Sequence, residues 1–192
     1  MKRRDMSRGF TLAETIMAML IMAILGLIVT GAISTALNTY QKIVEKSNAE
    51  LLLSTTISEL RSELDRPEQM TLKTGNVLDK YRSSTSAWRT LSADRTNQKG
   101  IQVTEFRGYD PTGPKAGTAS YAPQQLVSEA AATSKLYATF NSITYDTGKG
   151  VFTITGLKVY RKGDNKVMAE VASEGDQNYY IRSLEKPRVY SS

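Results

Sequence analysis

The sequence predicts an α+β protein: a long N-terminal helix, then a C-terminal antiparallel β-meander of three or four strands. Three observations carry this. Residues 15–41 contain no charged side chain and are dominated by Ile, Leu, Met and Ala. Apolar residues then recur at three- to seven-residue steps as far as Leu64, with charges between them. The last third is rich in β-branched and aromatic residues, separated by turn-forming Gly, Asp and Asn.

The first element is a helix from Phe10 to about Leu64, ending before Pro67. Its first part, residues 10–33, would span about 36 Å at 1.5 Å per residue, enough to cross a hydrocarbon core of about 30 Å. Residues 34–64 read as amphipathic, with Ile33, Leu37, Tyr40, Val44, Leu51, Ile57, Leu60 and Leu64 as the apolar stripe. Gly26 and Gly31 lie in the apolar part, where each weakens a helix by about 1 kcal/mol relative to alanine.

Residues 65–135 form a connecting region. Val77, Leu78, Tyr81, Trp88 and Leu91 fit one face of a short helix. Ile101 to Phe106 alternates as a strand does. Gly108 to Pro123 carries three prolines and reads as a loop, and Gln124 to Ser134 as a short helical turn. Within residues 136–192, strands are expected over 136–145, 151–161, 166–172 and 177–184. Turns fall at residues 146–150, 162–165 and 173–176. The apolar phase shifts between Ile154 and Leu157, so Gly156 marks a bulge. The sheet needs cover on one face, and the amphipathic helix supplies it.

Composition removes several chemistries. The chain has no Cys and no His, so disulfides, thiolate ligands and imidazole acid–base catalysis are excluded. No phosphate-binding glycine loop is present. No catalytic constellation, metal or cofactor is expected. The net charge of +6 invites a nucleic-acid reading. Half of it sits in residues 1–9, where Lys2, Arg3, Arg4 and Arg8 outweigh Asp5. A basic stretch before an apolar span is better read as a cytoplasmic retention signal, sending the remainder across the membrane.

One acidic residue stands out. Glu14 lies at the head of the apolar run, where a carboxylate is expensive in hydrocarbon. The block Gly9-Phe10-Thr11-Leu12-Ala13-Glu14 resembles the leader and N-terminal methylation motif of type IV pilins and pseudopilins. A secretory signal peptide or a plain signal anchor also accounts for the apolar run. Neither accounts for Gly9, Phe10 and Glu14 in that register.

The resemblance covers residues 8 to about 33 and implies a structural filament subunit, not an enzyme. It implies removal of a leader, residues 1–9, by a prepilin peptidase acting between Gly9 and Phe10, with methylation of the new Phe10 amine. Glu14 is implied as the assembly residue, pairing with the N-terminal amine of a neighbouring subunit. The implied partners are other pilin subunits, the peptidase/methyltransferase, an inner-membrane assembly platform and, before assembly, membrane lipid. The family often has a proline midway along the helix; here the first is Pro67. That departure and the sizeable middle region lean toward a minor-pilin-like member. The alternatives are a pseudopilin of a type II secretion system and a DNA-binding competence pilin.

Two secondary sites follow from the last third. Asp164, Asn165, Glu174 and Asp176 are candidate Ca²⁺ ligands at neighbouring turns, although turn formation explains them better. Tyr160, Arg161, Lys162, Tyr179, Tyr180, Arg182, Lys186 and Arg188 mix cations and aromatics in the manner of single-stranded nucleic-acid binders, although a solvated face with buried rings explains them better.

Overall fold

The computed structural model describes residues 11–83, 87–107, 119–128, 133–171 and 178–191. It divides into two compact units, Met1–Val44 and Glu45–Ser192. One continuous α-helix, α1, runs Leu12–Leu64.

In the first unit every described residue is exposed, including Ile16, Leu20, Ile24, Leu27, Ile28 and Ile33. The absence of proline leaves the backbone ladder intact. The helix passes through Gly26 and Gly31 without a break. Thr30 Oγ1 donates to Gly26 O at 2.8 Å and Thr35 Oγ1 to Gly31 O at 3.0 Å. These back-bonds satisfy the hydroxyls within the helix, which an apolar surrounding demands. The helix is long and apolar enough to cross a membrane.

In the second unit α1 buries Ala49, Leu52, Thr56, Leu60 and Leu64, at steps of three and then four residues. Thr56 Oγ1 donates to Leu52 O at 2.7 Å, so the buried hydroxyl costs little. This corrects the expected stripe. Leu60 and Leu64 belong to it and Ile57 is half-buried, but Ile33, Leu37, Tyr40 and Leu51 are exposed. Sequence hydrophobicity favoured the large residues. The face that meets the sheet instead takes small Ala49 and Thr56.

Among the described residues twelve strands follow: β1 Gln69–Lys73, β2 Val77–Arg82, β3 Arg89–Asp94, β4 Gly100–Glu105, β5 Gln124–Gln125, β6 Leu136–Thr139, β7 Ser142–Asp146, β8 Val151–Thr155, β9 Lys158–Arg161, β10 Val167–Glu170, β11 Asn178–Arg182 and β12 Arg188–Ser191. Nine form a sheet along the path β11-β8-β7-β2-β3-β4-β5, with β1 on β2 and β12 on β1. Three form a smaller sheet, β10-β9-β6. Every pairing is antiparallel except β1 with β12, where the C-terminal strand closes the edge in parallel.

The α+β class and the helix-then-antiparallel-sheet order therefore hold, but the sheet is larger than a meander of three or four strands. It begins at Gln69, inside the region read as a connection. The short helix expected over Val77, Leu78, Tyr81, Trp88 and Leu91 is absent; these residues belong to β2, β3 and the segment between them. The signal lay in Gly75-Asn76, both at positive φ (81° and 59°), a pair suited to a tight hairpin turn between β1 and β2. Gln124–Gln125 is a short strand rather than a helical turn. Residues 108–118, 129–132 and 172–177, on which parts of the loop, helical-turn and last-turn readings fall, lie outside the described residues.

Gly156 does more than make a bulge. The chain 136–161 is one long hairpin folded across its middle. Its open half, β6 with β9, lies in the small sheet; its closed half, β7 with β8, lies in the large one. The fold occurs at Asn141 and Gly156. Asn141 N–H still bonds Thr155 O at 2.8 Å, while Gly156 takes φ +64°. A Cβ at Gly156 would lie 2.3 Å from Asn141 Nδ2, so any other residue must displace that side chain as well as hold a left-handed φ. Phe152, Ile154, Leu157 and Val159 thereby all reach the core despite the phase shift.

Candidate functional site

Gly9 and Phe10 lie outside the described residues. Immediately after them, Thr11 precedes the first helical residue, Leu12, and Glu14 is the third. Thr11 N–H donates to Glu14 Oε2 at 2.9 Å, and Glu14 N–H donates to Thr11 Oγ1 at 3.3 Å. The Thr11 hydroxyl also donates to Glu14 Oε2, at 3.0 Å. This is a capping box: two backbone donors at a helix start are satisfied reciprocally by a Thr and a Glu three residues apart. The sequence carries it as Thr11-Leu12-Ala13-Glu14, the spacing of a Thr N-cap and a Glu three residues on.

The arrangement places a carboxylate at the positive end of the helix dipole. One oxygen, Oε2, is held by Thr11. A carboxylate has further lone pairs with which to accept a bond from another donor. The apolar surface around it is wholly exposed from Leu12 to Val44.

The candidate calcium ligands are already engaged. Arg161 Nε lies 3.2 Å from both oxygens of Asp164, and a second guanidinium nitrogen also contacts Oδ2. The Arg161 hydrogen bonds hold the Asp164 carboxyl down at about 2. Asn165 Oδ1 accepts from Tyr137 Oη at 2.5 Å and from Gln98 Nε2 at 3.1 Å. Glu174 and Asp176 lie outside the described residues. Among the described residues no group of three His, Cys, Asp or Glu could hold a metal.

The basic-aromatic set is spread over both sheets. Tyr160 and Arg161 are on β9 of the small sheet, Tyr179, Tyr180 and Arg182 on β11 at an edge of the large sheet, and Arg188 on β12. Tyr160 is buried, stacked on Tyr137 with ring centroids 5.6 Å apart. Arg161 is paired with Asp164 and with Glu45, the latter at 3.2 Å. A different polar group went unforeseen: Glu63 on α1 meets Tyr81 of β2 and Arg89 of β3. No local spacing announces a contact between residues so far apart in sequence.

The prokaryotic N-terminal methylation motif matches residues 4–30 of the chain. Neither curated proteins nor solved structures show a match. An apolar N-terminal helix carrying this motif, followed by a largely antiparallel sheet, fits a type IV pilin-like architecture. Within that class the motif supports the pilin and pseudopilin family, over the N-terminal segment alone.

Proposed function

We propose that this chain is a non-enzymatic subunit of a type IV pilus or pilus-like filament. A prepilin peptidase cleaves between Gly9 and Phe10, discards residues 1–9 and methylates the Phe10 amine. Residues 10–33 cross the membrane before assembly, with the N-terminus cytoplasmic, and become the filament core afterwards. Residues 34–64 carry the head, whose strands face outward from the cell.

One observation supports this most strongly. The methylation motif opens a helix whose large apolar residues are all exposed from Leu12 to Val44. Such a surface requires lipid or other helices around it. A subunit that moves from membrane to filament meets both requirements in turn. Glu14 then joins the filament by accepting the Phe10 amine of a neighbour, since pairing two charges in an apolar setting offsets much of the cost of each.

Mass spectrometry of the mature chain tests the processing step. The expected product begins at a methylated Phe10; any other N-terminus rejects it. Loss of surface filaments on Glu14→Ala tests assembly, and undiminished filaments would reject Glu14 as the assembly residue.

A further inference from the structure

The second unit carries opposite charges at the two ends of the β3–β4 hairpin. At one end the β3–β4 turn meets the β9–β10 turn: Gln98 Nε2 donates to Asn165 Oδ1 at 3.1 Å, and Gly163 N–H to Gln98 Oε1 at 3.2 Å. Arg95, Lys99, Lys162 and Lys166 gather there and outnumber Asp94 and Asp164 of the same turns, and Arg95, Lys99 and Lys166 are exposed. Arg161, beside this turn, reaches Glu45, so the basic end lies level with Glu45 on α1.

At the other end, Arg89 pairs across the hairpin with Glu105. There an open cleft of about 420 Å³ is lined by Glu59 and Glu63 of α1 and by Arg89, Val103 and Glu105 of the hairpin. Arg89 lies 3.3 Å from both Glu63 and Glu105, so its one charge is shared between two carboxylates. Glu59 adds an exposed third. The cleft is therefore acidic in sum.

From Glu45 to Glu59 the helix rises about 21 Å, at 1.5 Å per residue. The basic end and the acidic cleft stand that far apart along α1 and cannot meet within one chain. They match between two copies displaced along the helix direction. Such a contact uses different patches on its two sides, so it repeats without closing.

We propose that the Arg95, Lys99, Lys162 and Lys166 end of one copy docks against the Glu59, Glu63 and Glu105 cleft of the next, as a head-to-tail contact between copies of this chain. The proposal rests on the filament reading above and adds the surface by which heads meet. Exposed charges of this kind set orientation and register more than affinity, and salt weakens them.

Because the natural chain has no cysteine, introduced ones report contacts cleanly. The full-length chain, expressed in its own filament-forming cell, receives Glu59→Cys and Lys166→Cys singly and together. A disulfide needs Cα atoms within about 7 Å, so the pair cannot close inside one chain. Under mild oxidation the double variant is expected to give a ladder of multimers, and each single variant dimers at most. A lone Ile21→Cys on the exposed apolar helix serves as the reference for helix-to-helix contact. Dimers through Ile21→Cys with no ladder from the head pair overturn the head-to-tail contact and leave the filament reading standing. No crosslink at either place overturns both. In parallel, Glu59→Lys is expected to cut sheared-filament yield several-fold, and Lys166→Glu in the same chain to restore it. An unchanged yield in Glu59→Lys overturns the proposal.

Discussion

Tyr81 donates its phenolic hydrogen to Glu63 Oε2 at 2.8 Å, joining strand β2 to helix α1 across eighteen residues of sequence. Tyr81 is 1% exposed, and Arg89 faces the same carboxylate at 3.3 Å. The carboxylate thus takes a neutral donor from beneath and a charged one from the side. Removing only one partner leaves the others incompletely paired in a half-buried position.

Tyr81→Phe tests this junction. It removes the hydroxyl and keeps the ring in the core. The expected loss is about 1.5–3 kcal/mol, the range for a hydrogen bond to a charged group. Thermal or denaturant unfolding of the chain in detergent reads it; stability equal to that of the natural chain would refute the junction.

The same tyrosine makes a pH prediction. Burial, reinforced by the Glu63 charge, raises the Tyr81 phenol above its ordinary value of 10.0. With the folded value raised, the folded state holds its proton more tightly than the unfolded one. The contribution is full below about pH 10 and is lost as pH rises beyond it. Tyr137 and Tyr145 are raised by burial in the same direction. Stability is therefore expected to fall above about pH 10, and to fall less steeply in Tyr81→Phe. An identical alkaline slope in both chains would refute the assignment.

At the opposite extreme, Asp164 responds to acid. Arg161 lowers its carboxyl from 3.8 to about 2. A lowered carboxylate stabilises the fold above its unfolded value and ceases to do so as pH falls through the folded one. The β9–β10 turn is expected to loosen between about pH 4 and pH 2, with reduced amide protection at Lys166, whose N–H donates to Asp164 Oδ1 at 3.2 Å. In Asp164→Asn the protection of that amide, its exchange taken relative to the intrinsic rate, should no longer change over that window. A persistent change there would assign the transition to another group.

Gly156→Ala probes the folded hairpin. Two costs combine: φ +64° disfavours any Cβ, and that Cβ would lie 2.3 Å from Asn141 Nδ2. The expected destabilisation is about 1–3 kcal/mol. Adding Asn141→Ala removes the clash but not the backbone cost, so the double variant should recover only part of the loss. Full recovery would show that the backbone conformation is unstrained.

Glu14→Gln separates capping from charge. Glutamine can occupy the same place in a capping box. The helix start should therefore persist, while a charge-dependent joining of subunits is lost. Filament yield falling as far as in Glu14→Ala would assign the residue's role to its charge. A yield close to normal would assign it to the cap held with Thr11.

The elements were legible where one local rule decided them. The helix from Leu12 to Leu64 follows from an uncharged run with no proline until Pro67. The hairpin turns at residues 146–150 and 162–165 follow from glycine and aspartate. Strands β1 to β3 were missed because Val77, Tyr81 and Trp88 are spaced to fit a helix face as well as a sheet. The pairing that decides the matter joins β2 to three other strands.

By itself, the sequence determined the N-terminal third of this protein: the motif around Gly9, Phe10 and Glu14 and the apolar helix that follows it. Each is set by neighbours within a turn or two, so periodicity and spacing suffice to read it. Only the tertiary structure decided which face of α1 is buried, that the 136–161 hairpin folds at Gly156 into two sheets, and that Tyr81, Glu63 and Arg89 meet. It also decided that the basic turns and the acidic cleft lie at opposite ends of one hairpin. These depend on strand register and packing between distant segments, for which the chain carries no local mark.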